Sequence, residues 1–254
     1  MILLYHCKRE YEKHNTRRGR PRRFTIEYIL DRITYLLESG CPWRMLPVQS
    51  GSYKTIFAWF NLFSRKNVFE NAFHDTEKWY RKVTRFHAPM YIVDTSFVKN
   101  QYGRDCLGKN PTDRSRKATK VSLLVDQKGS PIDLAFHPAN KHDCKTLQHI
   151  LQRGHHRHKL CWGSLLFADK GYDARHCRET AQQYGLVPHI PHRGRPVDRL
   201  DNRIRVVVEH TFGILDKYRR ILMRFESRIR NFKAFHFVAV TLILSGRLQK
   251  LFVM

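Results

Sequence analysis

The sequence predicts a mixed α/β protein, with a helical N-terminal third followed by a mixed sheet flanked by helices. Three observations predict it. Apolar residues recur at helical spacing from Phe24 to about Arg85. The texture turns β-branched and aromatic after Pro89. From there strands and helices alternate to the end of the chain. Hydrophobic residues make up 42% of the 254, which supports a packed core and excludes wholesale disorder.

Residues 1–23 read as a flexible basic arm. The run Arg17-Arg18-Gly19-Arg20-Pro21-Arg22-Arg23 combines helix breakers with charges that repel one another. It contains Arg-Gly-Arg-Pro, the core of a type of minor-groove reader, and an extended Arg-Gly-Arg fits a narrow A·T groove, where the potential is most negative. The same four residues recur at Arg193–Pro196, where a solvated loop is an equal reading.

Residues 24–88 read as a helical region. Ile26, Ile29, Leu30, Ile33, Leu36 and Leu37 share one helix face, and Gly40-Cys41-Pro42 stops the run. A second helix is expected over about Ser52–Arg65, with Ile56, Trp59, Phe60 and Phe63 on its apolar side, and a third over about Val68–Arg85. Three short helices with basic flanks suit a helix-turn-helix-like DNA-binding region or a plain helical subdomain, and spacing does not separate the two.

Residues 89–254 read as a catalytic domain. Strands are expected at Met90–Lys99, Thr119–Asp126 and Ile132–His137, the last two joined by the turn Gln127-Lys128-Gly129-Ser130. A helix over about Lys141–Gln152, a strand Leu165–Ala168, a helix Asp173–Tyr184 and a strand Leu186–Ile190 follow. Two helices, about Asn202–Phe225 and Phe232–Leu251, finish the chain. The order βββαβαβαα matches an RNase H-like core.

Charge narrows the partners. Forty-seven Lys and Arg against 22 Asp and Glu leave +25, spread from end to end. Such a field attracts polyanions, nucleic acid above all, although a ribosomal or merely basic soluble protein shares it. The six cysteines form no C-x-x-C pair, so no zinc ribbon is indicated, and their scatter suits reduced, structural thiols. His155, His156 and His158 read as an exposed basic loop. No apolar stretch approaches a membrane span, and the N-terminus lacks a signal-peptide core. A cytoplasmic, DNA-associated protein is therefore expected, or a nuclear one in a nucleated cell.

Three carboxylates stand out. Asp94 interrupts the apolar strand Tyr91-Ile92-Val93, where an ionised group is costly unless paired, protonated or metal-bound. A turn cap at an exposed strand end is the alternative. Asp169 follows the strand Leu165–Ala168, at the strand end where ligands gather in open α/β sheets, or it is a turn residue. On a helical wheel Glu209 shares a basic face with Arg205, one turn back, and an ordinary solvated Arg–Glu pair is the alternative. Together the three could hold two Mg²⁺ or Mn²⁺ ions, about 4 Å apart, for phosphoryl transfer. Asp113, Asp126, Asp133, Asp143, Asp173, Asp216 and Glu226 compete for the role.

In these residues the chain resembles the bacterial insertion-sequence transposases of the Insertion Sequence Five group, within the wider Insertion Sequence Four-like DDE class. The resemblance runs from about Gly19 to Leu248. It is carried by Gly19-Arg20-Pro21, Gly40-Cys41-Pro42-Trp43-Arg44-Met45-Leu46-Pro47 and Val68-Phe69-Glu70 in the N-terminal part. In the core it rests on Val93-Asp94-Thr95-Ser96, Asn110-Pro111-Thr112-Asp113-Arg114, Thr119-Lys120 and Val125-Asp126. It continues through Gly129-Ser130-Pro131, Ala139-Asn140-Lys141-His142-Asp143 and Asp169-Lys170-Gly171-Tyr172-Asp173 to Arg205-x-x-x-Glu209-x-x-Phe212. The resemblance implies an RNase H-like fold, with Asp94, Asp169 and Glu209 as catalytic triad and metal ligands. It implies two divalent ions, transposon-end and target DNA as substrate, and a homodimer or higher assembly on DNA. Arg205 would touch phosphate near Glu209, and Arg18, Arg20, Arg22, Arg23 and Lys120 are the other expected DNA contacts. The chain departs from the wider class at Asn202 and Asp216, where that class has Tyr and Lys, and in a short Asp169–Glu209 interval. A domesticated DNA-binding protein and an RNase H-like nuclease are the alternative functions.

Overall fold

A computed structural model describes residues 2–14, 22–84, 89–158, 160–194, 196 and 199–253. The described helices are α1 (Ile2–Lys13), α2 (Ile26–Ser39), α3 (Tyr53–Arg65), α4 (Val68–Thr84), α5 (Asp143–His158), α6 (Arg175–Gln183), α7 (Arg199–Leu215), α8 (Arg219–Leu222) and α9 (Ile229–Val253). The strands are β1 (Met90–Asn100), β2 (Gly108–Lys109), β3 (Lys117–Asp126), β4 (Pro131–Pro138), β5 (Leu165–Phe167), β6 (Val187–His189) and β7 (Met223–Arg224). They fall into two compact units. One comprises Met1–Tyr80, Gln101–Asp105 and Asp216–Met254; the other comprises Arg81–Asn100 and Cys106–Leu215.

The first unit is helical with an aromatic core. Thr25 caps α2, its hydroxyl accepting from the Tyr28 N–H, and Ser52 caps α3 in the same way through the Lys54 N–H. The apolar faces expected for both helices are buried: Ile29, Ile33, Leu36, Leu37, Ile56, Phe60 and Phe63 are all fully covered. Phe60 stacks on Phe235 of α9 at 4.4 Å between centroids, and Phe73 of α4 lies 5.7 Å from Phe237.

Two expectations change here. Residues 2–13 form a helix rather than part of a flexible arm. Cys7 is buried, His6 pairs with Asp75 at 2.8 Å, and the Tyr11 hydroxyl donates to the Phe24 carbonyl at 2.6 Å. The helix expected over Asn202–Phe225 ends instead at Leu215, because Arg220 turns inward to Glu226 and to the Cys41 carbonyl. By contacts, Asp216–Met254 groups with the N-terminal helices.

Buried His236 makes this unit acid-sensitive. Burial holds its pKa down at about 4, opposed only by the bond from its ring to the Phe232 carbonyl. The unfolded chain protonates it near 6.5, so unfolding takes up a proton between those values and stability falls as pH drops through that window. We expect His236 to remove about 2 kcal/mol between pH 7 and pH 5. Urea unfolding at the two pH values, compared with His236→Leu, checks this: the variant should lose that part of the slope.

The second unit is built on a sheet in the order β4-β3-β1-β5-β6. Strand β3 is antiparallel to both β1 and β4, β5 and β6 run parallel to β1, and β2 pairs antiparallel with β3. Asp94 pairs with Leu123 in the register, and Ile92 with Phe167. Tyr91 and Val93 point into a core shared with Leu147, Ile150 and Leu151 of α5 and with Cys177 and Ala181 of α6. The pleat therefore turns Asp94 to the opposite face. Asp126 holds the β3–β4 hairpin, its Oδ1 accepting from the Lys128 and Ser130 N–H groups at 2.8 Å.

Helix α7 docks on that hairpin. The Thr211 hydroxyl donates to the Gly129 carbonyl at 3.0 Å, and a Cβ on Gly129, whose φ is +71°, would come within 2.7 Å of that hydroxyl. Two residues before Thr211, Glu209 is thereby fixed in rotation about the helix. The sulfurs of Cys144 and Cys177 are joined in a bridge between α5 and α6, whereas reduced thiols were expected; Cys7, Cys41, Cys106 and Cys161 are free. Packing of the two helices brings these buried cysteines together, which their scatter along the chain does not reveal.

Candidate active site

Asp94, Asp169 and Glu209 lie near enough in the second unit to act on one another electrostatically, each delivered by a different element. Asp94 sits mid-strand in β1, and its Oδ1 accepts from the Thr95 N–H at 2.7 Å. Asp169 follows β5 and caps a 3-10 turn, Lys170–Tyr172, through the Gly171 N–H. A Cβ on Gly171 would fall 2.7 Å from Asp169 Oδ1 and 3.1 Å from Asp143 Oδ2, so only glycine leaves room for both acids. Glu209 projects from α7.

Arg205 ties the group together. Its guanidinium lies 3.5 Å from Glu209 and 4.0 Å from Asp169. Burial pushes Asp94 up to about 6. The Thr95 N–H pulls it down, the charge of Asp169 pushes it up again, Arg205 lowers it and Glu209 raises it. Tyr172, wholly buried beneath the site, is raised well above its usual value by burial and then by the charges of Asp143, Asp94 and Asp169. Three acids repelling one another around one arginine form a site that a further cation would stabilise. Its donors are hard carboxylate oxygens, which fit Mg²⁺ or Mn²⁺ and not a thiolate-seeking metal.

Competing acids have other tasks. Asp133 is fully buried against Arg153 at 2.9 Å, and Asp126 holds the hairpin. Asp113 lies 4.0 Å from Lys99. Asp173 accepts from Arg178 and from the Arg193 N–H, both at 2.7 Å, which together hold its carboxyl below the usual range. Glu226 pairs with Arg220 at 2.7 Å in the helical unit, where burial also raises Asp216.

Lys120 differs from its expected role as a DNA contact. It is 4% exposed, and its ammonium lies 2.6 Å from Asp143 and 2.8 Å from the Lys141 carbonyl. It anchors the start of α5 beside Asp169 and is not free to meet phosphate. Sequence reasoning passed over this Lys120–Asp143 pair; the signal available was an acid opening a helix directly after a strand. Arg22 lies over the Tyr11 ring at 3.9 Å, and Arg23 is exposed. Arg18 and Arg20 lie outside the described residues, as does Arg195 of the second Arg-Gly-Arg-Pro. Arg193 of that copy donates to the Lys170 carbonyl at 3.1 Å.

The chain is similar to known families and proteins. The family described as "Transposase DDE domain" matches residues 85–244, and "Putative transposase of IS4/5 family" matches residues 9–73. Two curated relatives are similar. The "Putative transposase for insertion sequence element IS402" of Burkholderia cepacia is 32% identical over 143 residues, covering 54% of this chain and 66% of that protein. The "Transposase for insertion sequence element IS1106" of Neisseria meningitidis serogroup B is 32% identical over 108 residues, covering 39% of this chain and 35% of that protein. The match therefore spans less than two thirds of either relative. Among solved structures, the piggyBac transposase in its synaptic complex with hairpin DNA superposes with a TM-score of 0.54 at 10% identity. It covers 96% of this chain and 70% of the piggyBac chain, a likeness of fold. With the DDE-domain model matching residues 85–244, more than half of its length, the chain belongs to the DDE transposase family.

Proposed function

We propose that this protein cuts DNA at transposon ends and joins the freed 3′-hydroxyls to target DNA, with Asp94, Asp169 and Glu209 holding two Mg²⁺ or Mn²⁺ ions. The observation that carries the reading is the grouping of these carboxylates, from a strand, the turn after a second strand and a helix, around Arg205. When bound, such ions polarise the phosphate and stabilise both the attacking and the leaving oxygen. The protein's own groups hold that arrangement. The Thr95 and Gly171 N–H groups orient Asp94 and Asp169, and the Thr211–Gly129 contact sets the rotation of Glu209. Arg205 stands beside the carboxylates with a guanidinium able to meet a phosphate oxygen in two-pronged fashion. Exposed Arg23 and the neighbouring arm residues Arg18, Arg20 and Arg22 supply sequence-independent attraction to duplex DNA, and the protein works as a homodimer or higher assembly on it.

The test is cleavage and strand transfer on the DNA flanking the gene, in Mg²⁺ or Mn²⁺ and in chelator. Metal-dependent cuts at a repeat boundary support the reading. Tight binding without cutting in either metal replaces it with a DNA-binding role. Arg205→Gln refines the test. A charged hydrogen bond to phosphate is worth about 1.5–3 kcal/mol, so cleavage should slow roughly 10- to 100-fold. The melting temperature should hold, because partly exposed ion pairs contribute little to stability. Unchanged cleavage would remove Arg205 from the site.

A further inference from the structure

The helical unit carries a second candidate site. A cleft of about 880 Å³ opens between the 3-10 turn Trp43–Met45, the first turns of α3 and the 101–105 segment, lined by Trp43, Tyr53, Phe57 and Tyr102 with Arg44 and Lys54. That volume lies in the range of about 300–1,000 Å³ usual for small-ligand sites. Two of its aromatic rings are open to solvent, Tyr102 at 62% and Phe57 at 36%, whereas Trp43 packs on the core rings Phe60 and Phe235. Trp43 meets Phe57 edge-on, with centroids 4.9 Å apart and planes at 68°.

The cations are equally uncommitted. Three other arginines of this unit are paired, Arg32 with Asp31, Arg220 with Glu226 and Arg224 with Asp105. Arg44 and Lys54 are exposed, and neither side chain has a carboxylate partner among the described residues. Solvent-open rings beside free cations, on a chain of net charge +25, match a flat heterocycle joined to phosphates.

We infer that this cleft binds an unpaired nucleobase of a DNA strand, stacked against the Phe57 and Tyr102 rings with its flanking phosphates on Arg44 and Lys54. A paired base offers only its edge to a groove, whereas a base out of the stack offers a face. The site is separate from the carboxylates and needs no metal.

Binding in chelator therefore tests it without cleavage. The full chain is titrated into three DNAs: a paired duplex, the same duplex with a short overhang containing 2-aminopurine, and that duplex with an abasic overhang of equal length and charge. Stacking of one base is worth about 1–3 kcal/mol, so the base-bearing overhang should bind at least about fivefold tighter than the abasic one, with quenched fluorescence. Phe57→Ala and Tyr102→Ala should each erase that preference and leave paired-duplex binding unchanged. Tyr102→Trp should retain it, and Arg44→Gln with Lys54→Gln should weaken both overhangs together. Equal binding of the two overhangs by the unaltered protein overturns the proposal. So does a change in sedimentation of the alanine variants with the base preference intact, which would make the cleft a contact between copies of the chain. Either result stands apart from the cleavage assay, so the failure of one reading does not hide the other.

Discussion

Asp94→Ala should reduce end cleavage on the order of 10³-fold in both Mg²⁺ and Mn²⁺, while metal-free binding to the same DNA stays within about twofold. Lewis-acid stabilisation at a phosphate is worth several kcal/mol, and each 1.36 kcal/mol is a decade in rate. Asp94 is the acid best placed to carry that loss. It is fixed mid-strand between β3 and β5, and burial pushes its carboxyl up to about 6 even with Arg205 nearby. A folded-state pKa above the unfolded value means the charged carboxylate is worth less in the folded protein than in water. Removing it should therefore not lower the melting temperature at pH 7. Gel cleavage assays beside thermal melts separate the two effects. Cutting that survives the substitution would show that the carboxylates are misassigned; a collapse of the melt would show that Asp94 is structural.

The distinction between what local pattern reveals and what packing decides runs through both units. Helices α2 to α4 and strands β1, β3 and β4 were legible because a single periodicity governs each, with Ile26, Ile29 and Ile33 on one face and Gly129 marking the hairpin. Glu209 and Arg205 were legible together because i and i+4 on a helix must be neighbours. Helix α1 was not, since a short helix gains its stability from partners distant in sequence, here Asp75 and the Phe24 carbonyl. The end of α7 was hidden for a like reason: no proline or glycine marks Asp216–Tyr218, and the chain turns because Arg220 reaches Glu226. Lys120 misled because a lysine in a strand of a basic protein looks like a surface charge. Only the fold places Asp143 within 2.6 Å of it.

Arg224→Met should destabilise the helical unit by about 3–5 kcal/mol, the largest effect expected outside the carboxylate site. The side chain is 0% exposed, and its bonds to Asp105, Glu226 and Ser227 lie inside this unit. Its Nη1 donates to the Asp105 carbonyl at 2.6 Å, its Nε to the Glu226 carbonyl at 3.2 Å, and its Nη2 to the Ser227 carbonyl at 3.3 Å and to the Asp105 carboxylate. Asp105 in turn accepts from the Ile229 N–H at 2.8 Å, where α9 begins. One guanidinium thus fastens residues 101–105 to the start of the longest helix. Methionine fills much of the volume but takes the Arg224 donor from the Asp105 and Glu226 carbonyls, each costing about 1–3 kcal/mol if it stays buried, while the Ser227 carbonyl keeps the Arg104 N–H at 2.9 Å. The Asp105 side chain is 43% exposed, so water can take over its charge and the lower end of the range applies to that partner. Urea unfolding of both proteins at pH 7 measures the difference. Asp105→Asn, which keeps an acceptor for Arg224 and for the Ile229 N–H, should cost clearly less than Arg224→Met. If the two cost the same, the ion pair rather than the carbonyl cluster holds this segment.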